Sequence, residues 1–257
     1  MKLKKTNGAQ MKIIAIIPAR YDSTRFPGKP LVKLGQKPII QHVYERAKNS
    51  GLFDEVIVAT DDQRIFEAVH DINGKVILTS KKHHSGTDRI AEVCSKIECD
   101  LVVNIQGDEP FISKEPLQKL ISAFKDKEVE VATLMHKIKI DIENPNNVKV
   151  VCDKENFALY FSRSKIPFYR NSQSQFPKPD YYKHIGVYAF RKESLMEFIN
   201  LPAGKLEQNE KLEQLRLLEN GMKIKMVETE YEGIGIDTKK DLERAERIRN
   251  SLKNKVR

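Results

Sequence analysis

Between residues 13 and 105, short apolar runs at 13–17, 56–59, 76–78 and 101–105 alternate with segments whose apolar residues recur at helical spacing, near 39–50, 65–71 and after Thr87. Continuous apolar runs suit strands covered on both faces, and intervening helices allow such strands to run parallel. The order predicts an α/β fold, a doubly wound and mainly parallel sheet. Thr87 followed by Ile90, Ala91 and Val93 reads as a cap leading an apolar helix face, and Ser113 with Pro116 opens another helix.

After Asn144 and Pro145 the alternation loosens. Strands are expected at 148–151 and 158–161, followed by a Ser/Gln/Pro-rich loop over 171–180. The chain returns through a strand at 185–190, a helix at 211–219 stopped by Asn220 and Gly221, a strand at 223–227 and a charged terminal helix from Lys239. Residues 1–10 read as an upstream extension without fixed structure, Met11 being the functional beginning. Residues 11–257 read as one domain with an insert at about 144–217 that caps the site or pairs with another subunit.

Two loops carry the chemistry. The run at 13–17 leads into a loop with Arg20, Arg25, Lys29 and Lys33 against the single acid Asp22, a local charge of 4 − 1 = +3. Pro18, Pro27, Gly28 and Pro30 restrict its backbone, so the cations converge on an anion such as phosphate. Gly28-Lys29 is followed by Pro30, which has neither the hydroxyl nor the amide of a Walker loop. The bland reading is a basic surface turn. The run at 101–105 ends in Gln106-Gly107-Asp108-Glu109-Pro110. Ligands of open α/β sheets sit outside the carboxyl ends of the strands, where both loops would lie. A cationic and an acidic loop on one sheet edge point to a polyphosphate and its metal.

The 257 residues carry a net charge of +9, which invites nucleic acid as a partner. The excess is spread over amphipathic helices and the amino terminus, with no aromatics interleaved among the cations, so a solvated basic surface serving small anionic substrates fits better. No segment approaches the roughly 20 apolar residues of a membrane span, and the first ten lack a signal-peptide core. Cys94, Cys99 and Cys152 form neither a metal array nor a disulfide framework, which fits a cytoplasmic location.

The loop at 18–30, Val58-Ala59-Thr60-Asp61, Ser85-Gly86-Thr87-Asp88-Arg89, Gln106 to Pro110, Ala158 to Arg163, Leu212 to Arg216 and Gly235-Ile236-Asp237-Thr238 follow one another in an order that resembles the 3-deoxy-manno-octulosonate (Kdo) cytidylyltransferases, or CMP-Kdo synthetases. The resemblance runs from about Lys12 to Ile248. It implies a nucleotidyltransferase-type fold with an inserted capping and dimerisation region. The implied reaction joins CTP and Kdo into CMP-Kdo and diphosphate for lipopolysaccharide assembly, and the implied partner is a second copy of the chain.

The same resemblance places a catalytic Mg2+ on Asp108 and Asp237, although Asp237 also reads as part of a helix cap. Arg20 and Lys29 hold the triphosphate, with Arg25 as helper. Pro18, Ala19, Ser85, Gly86 and Thr87 contact the nucleotide, though a helix cap alone explains the last three equally well. Arg163, His184, Tyr188, Glu213, Gln214 and Gln106 are implied for the sugar acid. Read without the resemblance, His184 is a structural histidine and Glu213-Gln214 a solvated helix face. Two alternatives stand beside this reading: the same chemistry on 8-amino Kdo or another nonulosonic acid, and a non-catalytic nucleotide- or nucleic-acid-binding protein.

Overall fold

The structure, a computed structural model, describes residue 3 and residues 10–22, 26–170 and 178–255. The chain divides into two compact units, one of residues 1–117 with 233–257 and one of residues 118–232. The second contains the whole expected insert and extends it on both sides.

The first unit holds β1 (Ile13–Ala19), the short hairpin β2 (Lys33–Leu34) and β3 (Lys37–Pro38), α1 (Ile39–Asn49), β4 (Glu55–Thr60), α2 (Gln63–His70), β5 (Lys75–Leu78), α3 (Gly86–Ser95) and β6 (Leu101–Asn104), and the division between the units falls within α4 (Lys114–Ser122). The four longer strands pair in the order β6-β1-β4-β5, all parallel. Ile14, Ala15, Ile16 and Ile17 have no exposed surface, as expected of a central strand covered on both faces. Asp54 and Asp100 accept the amides of Ile13 and Lys12, fixing where the central strand starts. The chain proceeds from β1 outward through β4 and β5, then returns to β6 on the other flank of β1. Strand order therefore reverses between β1 and β6, which is where an open α/β sheet forms its crevice. Leu3, within the expected extension, is buried, and its carbonyl accepts the amide of Met11 at 2.8 Å.

The second unit holds β7 (Val131–Ile138), β8 (Lys149–Cys152), β9 (Ala158–Ser162), β10 (Tyr181–Arg191), α5 (Lys192–Phe198), α6 (Lys205–Glu210), α7 (Leu215–Glu219) and β11 (Ile224–Glu228). Here pairing is mostly antiparallel: β7 with β10, β10 with β8 and β8 with β9, whereas β11 joins β7 in parallel. The helix expected over 211–219 is broken. Lys211 adopts φ 53° at the end of α6, and helix resumes only at Leu215. The final helix, α8 (Lys239–Lys255), belongs to the first unit. Among the described residues no helix is long and apolar enough to cross a membrane.

Candidate active site

The cationic loop leaves β1 at Ala19 and folds back on itself. The Gly28 amide donates to the Tyr21 carbonyl at 2.9 Å, and Gly28 has φ 70°, a conformation that glycine adopts without strain. A Cβ at Gly28 would stand 3.0 Å from the Tyr21 ring, so a side chain there would also crowd the turn. Arg64 stacks its guanidinium over the Tyr21 ring, 3.4 Å from the ring centroid, and is itself tied to Asp62. Pro30 is buried, and a single 3-10 turn, 29–31, sets the direction of Lys29. Arg25 lies outside the described residues.

The acidic loop follows β6. Gly107 passes so close to the first loop that a Cβ on it would lie 2.9 Å from the Pro18 carbonyl oxygen. The Ile236 amide donates to the Asp108 carbonyl at 3.0 Å, which brings the segment before α8 alongside Asp108. Capping of α8 falls to Thr238 and Asp241: the Asp241 amide donates to the Thr238 hydroxyl, and that hydroxyl donates to the Asp241 carboxylate at 2.7 Å. The Asp237 side chain is therefore not the cap, and it turns toward Lys29.

Lys29 Nζ lies 2.5 Å from Asp108 Oδ2 and 2.9 Å from Asp237 Oδ1. Burial by itself would lower the Lys29 pKa, but the charge of Asp108 and hydrogen bonds to both carboxylates outweigh it, and the net shift is upward. Lys29 stays an ammonium. Beside this trio is a cavity of about 370 Å³. Pro18, Ala19, Arg20 and Lys29 line it together with Gly86, Gln106, Asp108 and Asp237.

Ser85 caps α3 through a reciprocal pair of bonds with Asp88, and Thr87 is buried, so Gly86 is the member of that triplet that lines the cavity. Sequence reasoning passed over Arg89 as a site component. It is buried, paired with Asp61 at 2.9 Å and hydrogen-bonded to Thr79, so it ties α3 to the loops after β4 and β5.

Two carboxylates, one on the loop after β6 and one in the segment leading into α8, converging on one cation within 3 Å, are a donor set that suits Mg2+. That ion takes hard oxygen ligands and commonly one or two carboxylates, with phosphate oxygens completing its shell. Among the described residues no group of three or more His, Cys, Asp or Glu side chains gathers to hold a metal ion, at this site or elsewhere, so the protein offers two carboxylates here and no more.

The remaining expected residues lie in the second unit, in two settings. Arg163 donates its Nε–H to the Glu210 carbonyl at 2.7 Å and its terminal nitrogens to the carbonyls of Pro145 and Lys211. Its amide and the Ser162 hydroxyl both donate to the Glu210 carboxylate. Three of its five N–H groups are taken in this way, which leaves two. Lys149, unflagged by sequence reasoning, is fully buried and donates to the carbonyls of Asn144 and Arg163. Its only sequence signal is a lysine flanked by valines in a strand.

His184, Tyr188 and Glu213 form the second setting. Between Ile185 and Tyr188 the pairing of β10 with β7 slips, and the Thr133 hydroxyl stands 3.0–3.1 Å from the carbonyls of Ile185 and Val187 and 3.0 Å from His184 Nε2. A hydroxyl has one proton, which the carbonyls attract, so Nε2–H donates to Thr133 and Nδ1 carries the lone pair. Burial, with the charge of Lys183 adding to it, lowers the His184 pKa to about 3, and the ring is neutral. Burial raises the Tyr188 phenol well above its ordinary range, with Glu213 contributing, so it remains a protonated donor. Phe161 meets the imidazole edge-on and Tyr188 at a tilt of 60°, with 5.1 and 5.3 Å between centroids. Gln214 is 7% exposed, and its Nε2 has no acceptor among the described residues.

Residues 14–224 match the family model described as Cytidylyltransferase, which sets the class. The 3-deoxy-manno-octulosonate cytidylyltransferase of Flavobacterium johnsoniae is 53% identical over 240 residues, 91% of this chain and 97% of that protein. The protein of the same name from Thermodesulfovibrio yellowstonii is 53% identical over 253 residues, 94% and 99% of the two chains. A solved structure of CMP:2-keto-3-deoxy-manno-octonic acid synthetase complexed with CTP superposes with a TM-score of 0.89 at 44% identity, covering 94% of this chain and 99% of that one. The chain belongs to the 3-deoxy-manno-octulosonate cytidylyltransferase family.

Proposed function

We propose that this chain transfers the CMP group of CTP to Kdo, releasing diphosphate. The sugar-acid hydroxyl oxygen bonds to the α-phosphorus, the bond from that phosphorus to the β-phosphate oxygen breaks, and the hydroxyl proton passes to solvent. The observation that carries the reading is the meeting of Lys29, Asp108 and Asp237 beside a cavity at the switch point between β1 and β6, in a chain half identical to enzymes of that name. Arg20 and Lys29 hold the triphosphate and offset charge gathering on the leaving diphosphate, with Arg25 assisting. In-line displacement at phosphorus gains chiefly from this positioning and neutralisation. Pro18, Ala19, Ser85, Gly86 and Thr87 are assigned to the nucleotide.

Asp108 and Asp237 would hold Mg2+, which when bound polarises phosphoryl oxygen and acidifies the attacking hydroxyl. On the sugar side, the two remaining Arg163 N–H groups suit a carboxylate. Neutral His184, protonated Tyr188 and the unmatched Nε2 of Gln214 supply hydrogen-bonding groups for hydroxyls, and Glu213 and Gln106 accept from them. We place the reaction in the cytoplasm, where CTP is available, and assign the chain to a homodimer.

The test is diphosphate release from CTP with Kdo, 8-amino Kdo and sialic acid, using ATP, GTP and UTP as nucleotide controls. Release with CTP and Kdo is expected. Release only with another acid would move the substrate assignment, and binding of CTP without release for any acid would overturn catalysis.

A further inference from the structure

Lys29 has two positions to fill. Its ammonium lies within 3 Å of both Asp108 and Asp237, filling the gap between the two carboxylates assigned to the metal. It is also the cation that the loop offers to the triphosphate. One ammonium cannot serve both at once, because a divalent ion seated on those carboxylates would meet a like charge at contact distance.

The trio sums to −2 + 1 = −1, so a metal approaching the nucleotide-free chain meets half the carboxylate charge already neutralised. The lysine backbone is fixed by the left-handed Gly28 and the buried Pro30. The four-carbon stem beyond it can swing, and the ammonium makes unspecialised hydrogen bonds that phosphate oxygens can replace. Its side chain is 14% exposed, against 23% for Asp108 and 41% for Asp237, so the ammonium is the shielded end of both pairs and the carboxylates are the ends that solvent reaches.

Resting on the metal assignment above, we propose that Lys29 is an exchangeable counter-ion that keeps the Asp108–Asp237 site closed to divalent cations until nucleotide arrives. Transfer of its ammonium to the phosphates exposes both carboxylates, so nucleotide and metal bind with positive coupling, and by linkage each tightens the other. In the free chain the site discriminates against a bare cation.

The test is Mn2+ binding to the full chain without nucleotide, read from the electron paramagnetic resonance signal of free Mn2+. Lys29→Met keeps the stem and removes the charge. It should bind Mn2+ about tenfold or more tightly than the wild type, and the double variant Lys29→Met/Asp108→Asn should lose that gain. Equal or weaker binding by Lys29→Met overturns the proposal. Lys29→Gln is run in parallel, and circular dichroism certifies that each variant is folded. Failure of the metal assignment reads differently: Asp108→Asn and Asp237→Asn would then retain Mn2+ as the wild type does when CTP is present.

Discussion

At the scale of single residues, the site depends on a division of labour between neighbours. Thr238 and Asp241 satisfy the start of α8, which releases Asp237 to face Lys29 and Asp108. Asp108→Asn and Asp237→Asn are each expected to lower turnover about a hundredfold or more. The ion pairs they weaken are part-exposed, so stability should change by less than about 1 kcal/mol. Diphosphate release and thermal melting on the same preparations check both halves. Gly107→Ala behaves differently, since its methyl would meet the Pro18 carbonyl at 2.9 Å. Relief requires the acidic loop to move off the first loop, at a cost of about 1–3 kcal/mol. Activity should fall along with the urea midpoint, and an unchanged midpoint would show that the loop yields freely.

Among elements, β1, β4 and β6 were legible because burial on both faces forces an unbroken apolar run, β5 showed only a short apolar run and is half exposed at Leu78, and the hairpin of β2 and β3 gave no signal. β7 went unread: Thr133 and His136 interrupt its apolar pattern, and Thr133 is there to serve the carbonyls left by the slip in β10. The break at Lys211 was equally invisible, because a lysine gives no hint of a left-handed backbone. Of the candidate site, the loops after β1 and β6 could be read from charge and proline content. The roles of Lys149 and Glu210 could not, since both act on backbone carbonyls, hydroxyls and amides brought near only by folding. Arg163→Ala, which removes two bonds to the end of α6 and one to the Pro145 carbonyl, should destabilise the chain by about 2 kcal/mol and raise the KM for Kdo. Lysine at that position should not restore either, having no fork to reach three carbonyls. An unchanged melting temperature and KM would remove Arg163 from both roles.

The slip in β10 also sets a pH response. His184 titrates near 3 in the folded chain against 6.5 ordinarily, so over that window the unfolded chain binds the additional proton. The stability that this provides is complete above about pH 6.5 and is lost as pH falls toward 3, by up to about 1.4 kcal/mol per pH unit. Urea midpoints at pH 7.5 and 5 should therefore fall further for the wild type than for His184→Gln. Parallel declines would contradict it.

For the whole molecule, Ile140, Leu159 and Phe168 of the second unit are 78%, 62% and 84% exposed, and covering them is what the proposed homodimer would gain. Light scattering at micromolar concentration should give a dimer, and Phe168→Glu combined with Ile140→Glu should give a monomer. A monomeric wild type would remove the assignment.

The first unit is discontinuous, and this has a bearing on how the protein is made. Its parallel strands are all present once residue 104 has been synthesised, yet Asp237, pinned beside Asp108 by the Ile236 amide, follows only after the entire second unit. A nascent chain on the ribosome thus has the loops after β1 and β6 long before Asp237 emerges, and an unfinished copy lacks one of the two carboxylates of the proposed metal site.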